Sequence, residues 1–338
     1  MVCSFFTLTT WAVIDTMAAF AIAINPVKSN VVWTANHDGW LSRIEHNSGN
    51  NIAVSRHRLP PSAWHGHGTN LLFDLLDTNV MYVSGVMMQG IYRTIDAGLT
   101  WNVWQYVPDR RLWMSGSSVI VDTMHSSTVV TYGDVSLGMI HEYCSIPNVN
   151  RVTSFASYKS ICSLIEIEVV TNRYLIAGCK GGNIEVVCPD KNVSFSVSTG
   201  CEYYSEIPKI KSRRKNCDTI YAITTGFDSL NRNHGVIASC DAGMSWQPKY
   251  QPGISYWGLD VCECGRSIVV GGFSEFSFVN GQGHIDMINT TNGVVVNLGQ
   301  AIPWINGNVS SVWDIQHSTF MGSTSIYFAT ENGLYALR

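Results

Sequence analysis

The sequence predicts an all-β fold, a single seven-bladed β-propeller, and three observations carry that prediction. A group of short apolar strands, separated by polar and Gly-containing turns, recurs along the whole chain. No amphipathic helical pattern over a window of about 11 residues competes with it. A spare strand precedes the first unit, while the last unit stops after its third strand.

The units are read in order. Phe20–Pro26 leads to Val31–Ala35 and Gly39–Ile44. Leu71–Leu75 leads to Val80–Ser84 and Gly90–Thr94. Ser118–Asp122 leads to Thr128–Tyr132 and Gly138–His141. Ser163–Ile167 leads to Tyr174–Gly178 and Gly182–Val186. Thr219–Ile223 leads to Gly235–Ser239. Gly258–Val261 leads to Ser267–Gly271 and Gly283–Met287. Val312–Ile315 leads to Ser325–Ala329 and Gly333–Leu337. Three or four strands at a pitch of about 40–50 residues is the signature of a propeller blade. The predicted blades span 20–51, 71–104, 118–153, 163–197, 205–250, 256–299 and 310–338, all in one domain of residues 1–338. The strand at 8–15 is expected to complete the last blade as its outer member, which removes an open edge.

Composition sets limits. Of the 338 residues, 46% are hydrophobic and 14% charged, against about 25% charged in an average soluble domain. Apolar content this high offsets chain entropy, which excludes intrinsic disorder. The net charge of −4 argues against a nucleic-acid binder held by phosphate contacts. No apolar run is long enough to span a bilayer. The stretch 11–24 lacks a basic leader and contains Asp15, so it reads as two strands rather than a signal peptide. Ten cysteines, none in a C-x-x-C pair, read as free thiols and not as a zinc site.

Two segments carry a sharper signal. Thr94-Ile-Asp96-Ala-Gly98-Leu-Thr100-Trp101 and Ser239-Cys-Asp241-Ala-Gly243-Met-Ser245-Trp246 share the pattern [ST]-x-D-x-G-x-[ST]-W. Glu45–Gly49 and Asn289–Gly293 are degraded versions. The pattern resembles the Asp-box of BNR-repeat propellers, a group with sialidase-like, sortilin-like and photosystem-assembly members. The residue chemistry is that of a turn. Asp accepts hydrogen bonds from its own loop, Gly permits positive φ, and Trp plugs the space between sheets.

A sialidase-like reading implies three arginines on separate blades, a Tyr–Glu pair, an acid and an Arg-Ile-Pro motif. Arg-Ile occurs only at Arg43-Ile44, followed by Glu45. Arg110 with Arg111 and Arg213 with Arg214 are adjacent pairs, and the best loop carboxylates are Glu202 and Glu206. Two carboxyls at a fixed separation do not assemble, so no catalytic residue is assigned. His65 and His67, with His37 and Asp38 as further candidates, do not make a metal site, and no cofactor is implied. The basic run Lys209, Lys211, Arg213, Arg214 and Lys215 reads as a solvated loop leading into the fifth unit.

The connections between blades offer a binding rim around the central channel. Its expected members are Trp64, His65, His67, Arg110, Arg111, Trp113, Tyr158, Tyr204, Tyr256, Trp257 and Trp304. Trp, Tyr and Arg dominate binding hot spots, and aromatic faces also stack on sugars. Low charge further suggests surface covered by partners. The expected function is a non-catalytic binding or structural propeller inside a larger protein assembly. A virion is the favoured setting (tail, decoration or attachment protein), and glycan is a further candidate ligand. The expected location is therefore virion or cytoplasm. The alternatives are a sialidase-like hydrolase or lectin, and an intracellular factor resembling the photosystem-assembly propellers.

Overall fold

A computed structural model of the chain describes residues 10–47, 51–63, 66–88, 90–106, 119–124, 127–134, 139–144, 149–154, 161–169, 172–191, 193–200, 206–213, 219–225, 234–262, 265–274, 282–298, 311–320 and 323–338. Among these residues there are strands, turns and short 3-10 segments but no α-helix. The strands form seven four-stranded antiparallel sheets arranged as a β-propeller.

The first blade holds β2 (Ala19–Ile24), β3 (Val31–Asn36), β4 (Trp40–His46) and β5 (Ile52–Arg58). The second holds β6 (His67–Phe73), β7 (Met81–Val86), β8 (Gly90–Thr94) and β9 (Asn102–Tyr106). The third holds β10 (Val119–Met124), β11 (Ser127–Asp134), β12 (Met139–Cys144) and β13 (Val149–Ser154). The fourth holds β14 (Ile161–Val169), β15 (Asn172–Cys179), β16 (Asn183–Cys188) and β17 (Val193–Ser198). The fifth holds β18 (Glu206–Ser212), β19 (Ile220–Thr225), β20 (Val236–Ser239) and β21 (Gln247–Tyr250). The sixth holds β22 (Ser255–Val261), β23 (Ser267–Ser274), β24 (Gln282–Asn289) and β25 (Val295–Asn297).

The seventh blade is assembled from both ends of the chain. β26 (Val312–Phe320), β27 (Ser323–Thr330) and β28 (Gly333–Leu337) accept β1 (Trp11–Asp15) as their outer strand. Trp11 pairs with Leu337 and Val13 with Tyr335. Thr10 and Arg338 exchange two backbone hydrogen bonds, at 3.1 and 3.0 Å. Gly333, at φ 133°, makes the approach possible: a Cβ there would stand 2.1 Å from the Asp15 carbonyl oxygen.

Burial follows from position in the blade. The second strands β3, β7 and β19 are covered on both sides, and every residue in them is buried. Their near-continuous apolar sequences are what two covered faces require. The outer strand β17 instead alternates Val or Phe with Ser and stays largely exposed. Among the described residues, seven apolar clusters lie one at each interface between neighbouring blades, and an eighth gathers Trp257, Phe273 and Trp313. Trp33, Met81, Tyr92 and Trp101 join blades one and two. Val80, Tyr82 and Tyr132 join two and three; Ile140, Leu164 and Leu175 join three and four. Ile176, Ile207 and Trp246 join four and five; Ile223, Val236 and Leu259 join five and six. Val269, Ile315 and Phe328 join six and seven, and Ile14, Ile22, Ile44 and Ala329 close seven onto one.

The two Ser/Thr-x-Asp-x-Gly-x-Ser/Thr-Trp segments fold alike. Asp96 Oδ1 accepts from Thr94 Oγ1 at 2.7 Å and from the Thr100 amide at 2.9 Å, and Oδ2 accepts from Thr100 Oγ1 at 2.6 Å. The Gly98 amide donates to Thr94 Oγ1 at 3.0 Å. Asp241 repeats the set with Ser239 at 2.8 Å, the Ser245 amide at 2.8 Å and Ser245 Oγ at 2.5 Å. The Thr100 and Thr94 hydrogen bonds hold the Asp96 carboxyl down at about 2. Gly98 and Gly243 have φ near 87° and 85°. A Cβ on Gly98 would meet the Trp33 ring of the preceding blade at 2.2 Å, and one on Gly243 would meet Ile176 of its preceding blade at 2.9 Å. Each turn therefore presses its glycine onto the neighbouring sheet, and its Trp is buried in the same interface.

The seam between blades seven and one contains a titrating group. His46 Nδ1 lies 3.1 Å from Arg338 Nη2, and Nε2 lies 3.0 Å from Tyr327 Oη. Arginine only donates, so Nδ1 accepts and Nε2–H donates to the tyrosine oxygen. Burial and then the Arg338 charge push the His46 pKa below its usual 6.5. The unfolded chain then binds the extra proton, so stability is lost as pH falls from about 6.5 toward the folded value. Asp15, also lowered, loses its contribution only below the usual aspartate value of 3.8. The melting temperature is expected to decline on acidification below pH 6.5, and His46→Gln to flatten that decline. An unchanged slope in the variant would contradict the assignment.

Candidate functional site

The central channel is lined by the first strand of each blade. Six of these strands carry one extra residue near their start, opposite a regular partner. It is Phe20 in β2, Thr69 in β6, Cys162 in β14, Trp257 in β22 and Trp313 in β26, and it falls at 207–208 in β18. β10 pairs regularly over its described span. A bulge bends the strand and re-aims its side chain. In the sixth, seventh and first blades the bulged residue is aromatic, and the rings gather. Trp257 and Trp313 are 5.5 Å apart, Trp313 and Phe20 5.6 Å, and Phe273 adds a ring 6.5 Å from Trp313. Phe20 in turn lies 6.1 Å from His37. The arc is close-packed, since Trp257 is 3% and Trp313 9% exposed. Tilted and edge-on rings of this kind contribute about 0.5–1.5 kcal/mol per pair beyond area burial.

Farther along the same strands lie charged side chains, and they are paired. Lys209 of β18 reaches past β22 to Asp314 of β26, with Nζ 2.9 Å from Oδ1. Asp314 Oδ2 accepts from the Ile22 amide of β2 at 2.9 Å. One carboxylate thus ties blades five, seven and one. Asp260 of β22 accepts from both the His317 amide and His317 Nδ1 at 2.7 Å, and Lys211 Nζ stands 4.0 Å away. Burial alone would raise the Asp260 pKa, but the His317 hydrogen bonds and the nearby cations outweigh it and hold the carboxyl ionised. The basic run expected as a solvated loop is therefore in part the channel strand β18. Lys209 and Lys211 are two apart, so they share a face of that strand.

The predicted rim residues distribute as follows. Trp64, His65, Arg110, Arg111, Trp113, Tyr158, Tyr204 and Trp304 lie outside the described residues, as do Glu202 and Arg214. His67 begins β6. Tyr256 and Trp257, expected in a connection, are inside β22 and buried. The strand starts at Ser255 because the bulge adds a residue to its entry. Tyr256 donates to Asp286 Oδ2 at 2.5 Å, and Asp286 is further held by His284 Nε2 at 2.9 Å and Asn297 Nδ2 at 3.2 Å. Burial, then the Asp286 charge, pushes the Tyr256 hydroxyl well above its usual range. Glu206 is buried at the start of β18. His37 Nδ1 and Asp38 Oδ1 lie 3.0 Å apart on exposed side chains. Sequence reasoning missed Phe20, Trp313, Asp260, Asp314 and His317. The available signal was a lone aspartate one or three residues after a tryptophan in two otherwise apolar segments, Val312-Trp-Asp-Ile and Trp257-Gly-Leu-Asp260.

Chemically, this lining is a strut. Asp260 and Asp314 are each engaged by cations or amides of other blades. Among the described residues, no group of three or more His, Cys, Asp or Glu is placed to hold a metal ion, and no helix is long and apolar enough to cross a membrane. The fold and lining together define a β-propeller. No protein-family model matches the chain, and no curated protein matches it.

Removing a buried ion-pair partner leaves the other charge uncompensated, a cost of about 3–5 kcal/mol that falls where the remaining group reaches water. Lys209 is 19% exposed and Asp314 3%. Asp314→Ala is therefore expected to cost about 2–3 kcal/mol, because it also orphans the Ile22 amide. Adding Lys209→Met to that variant should cost less than Lys209→Met does alone. Urea midpoints of the two single variants and the double variant measure this, and additive effects would contradict the bridge.

Proposed function

We propose that this chain is a non-catalytic binding and structural propeller that works as a component of a larger protein assembly. A patch of exposed aliphatic side chains carries the reading. Val27 in the β2–β3 turn, Leu75 and Leu76 in the β6–β7 turn, and Ile95 and Leu99 in the β8–β9 turn are all exposed, Val27 and Leu99 at 76% each. The turns adjoin: the Ala97 amide donates to Asn79 O at 2.9 Å, and Asn25, Lys28, Asn79 and Ala97 line one groove. Exposed aliphatics concentrated on adjacent turns mark an interaction surface. These turns follow the first and third strands of their blades, at the end opposite the aromatic arc.

Two further observations support the reading. The channel charges are engaged with one another, which favours a scaffold over acid–base chemistry. Glu206, the one described member of the candidate carboxylate pair, is buried rather than presented to a ligand. The two Asp-centred turns are read as Asp-boxes of the BNR type, with a purely structural role. A virion is the setting we propose to test first, on the low charged fraction of the chain, 14%. The partner surface is then protein, and glycan is a secondary ligand.

The test is the native mass of the chain in its source, compared with a variant carrying Leu76→Glu and Leu99→Glu. Wild type is expected to migrate with a large assembly and the variant to be released from it. Migration of wild type at its own 37.3 kDa would contradict the proposal.

A further inference from the structure

We propose that two copies of this chain associate through β17, edge to edge and antiparallel, with Phe195 on the two-fold axis. The outer strands of a propeller are edges, and edges invite pairing unless something blunts them. Of the six outer strands whose side chains are described, five carry such a device. β1 has a bulge and Asp15, and β5 has Arg56 and Arg58. β9 is bulged at Trp104, β21 contains Pro248 and Lys249, and β25 is three residues long. β17 has none of these. Its sequence is Val193-Ser-Phe195-Ser-Val197-Ser198, and it pairs with β16 over six residues without a shift in register.

The occupant follows from the sequence of the edge. Val-Ser-Phe-Ser-Val reads the same in both directions about Phe195. Antiparallel pairing with itself therefore sets Val193 opposite Val197, Ser194 opposite Ser196, and Phe195 opposite Phe195. Every cross-strand pair is like with like, and no charge opposes another. A two-fold interface requires this kind of self-complementary surface. Phe195 and Val197 are partly buried against the interface between blades four and five, so a second copy would extend an existing apolar face. Ser194 and Ser196 are exposed on the other side. A six-residue contact is small beside the ~800 Å² per partner of a stable interface, so the dimer is a concentration-dependent one. It is independent of the partner surface on blades one and two.

The experiment is sedimentation of the purified full-length chain over a range of concentrations. Wild type is expected to pass from monomer to dimer as concentration rises. Ser196→Lys places two lysines next to the partner's serines and should weaken association by about tenfold, as should Ser194→Glu. The pairing sets 194 opposite 196, so the double variant S194E/S196K gains two Glu–Lys pairs and should dimerise again. Melting temperatures of the variants, expected to match wild type, show that each is folded. A wild type that stays monomeric, a Ser196→Lys variant that still dimerises, or a double variant that fails to regain dimerisation overturns the proposal. Pairing of β17 with a strand of another protein, without self-association, also overturns it.

Discussion

Ring closure is the constraint on which the rest of this structure depends. A propeller has no central core; its apolar residues lie between neighbouring sheets, so each blade is covered only if the circle is complete. The seam between blades seven and one is where the chain must hold itself. There β1 supplies the missing fourth strand, and Ile14 enters the interface with Ile22, Ile44 and Ala329. Polar ties are added across the seam. Arg56 of β5 grips Asp15 with bonds of 2.7 and 2.6 Å. His46 bridges Arg338 and Tyr327, and Asp314 holds the Ile22 amide. Asp15 shows the balance of forces: burial would raise its pKa, but the Arg56, Met17 and Ser42 hydrogen bonds outweigh this and keep it ionised.

The same logic runs around the circle. Each Asp-centred turn pushes a glycine onto the blade before it and buries a tryptophan at that interface. Arg173 of β15 sits between Glu166 of its own blade and Glu142 of the previous one. Lys209 and Asp260 connect blades that are one or two places apart. Apolar packing supplies the driving force, while the ionic and hydrogen-bonded ties fix which strand lies against which.

The fold was legible because its signals are local. A covered second strand must be nearly all apolar, as Val31–Ala35 is apart from Thr34, and turns need Gly, Asp or Asn at fixed places. The spare N-terminal strand was legible from counting strands. The channel was less so. A bulge cannot be read from alternation, and it moved Tyr256 and Trp257 from a presumed connection into β22. Lys209 and Lys211 looked like a loop because a basic run in isolation is usually solvated. Their partners, Asp314 and Asp260, are about a hundred and about fifty residues away, and only the ring geometry brings them together. The aromatic arc was hidden for the same reason: Phe20, Trp257 and Trp313 are neighbours only after closure.

Native-state hydrogen exchange on the intact chain tests the seam most directly. If β1 completes the ring, the amides hydrogen-bonded between β1 and β28 exchange only through global unfolding, with the same denaturant dependence as the buried strand β3. Fast exchange in β1 and β28 with β3 fully protected would show that the ring stands without its closing strand, and would contradict this account.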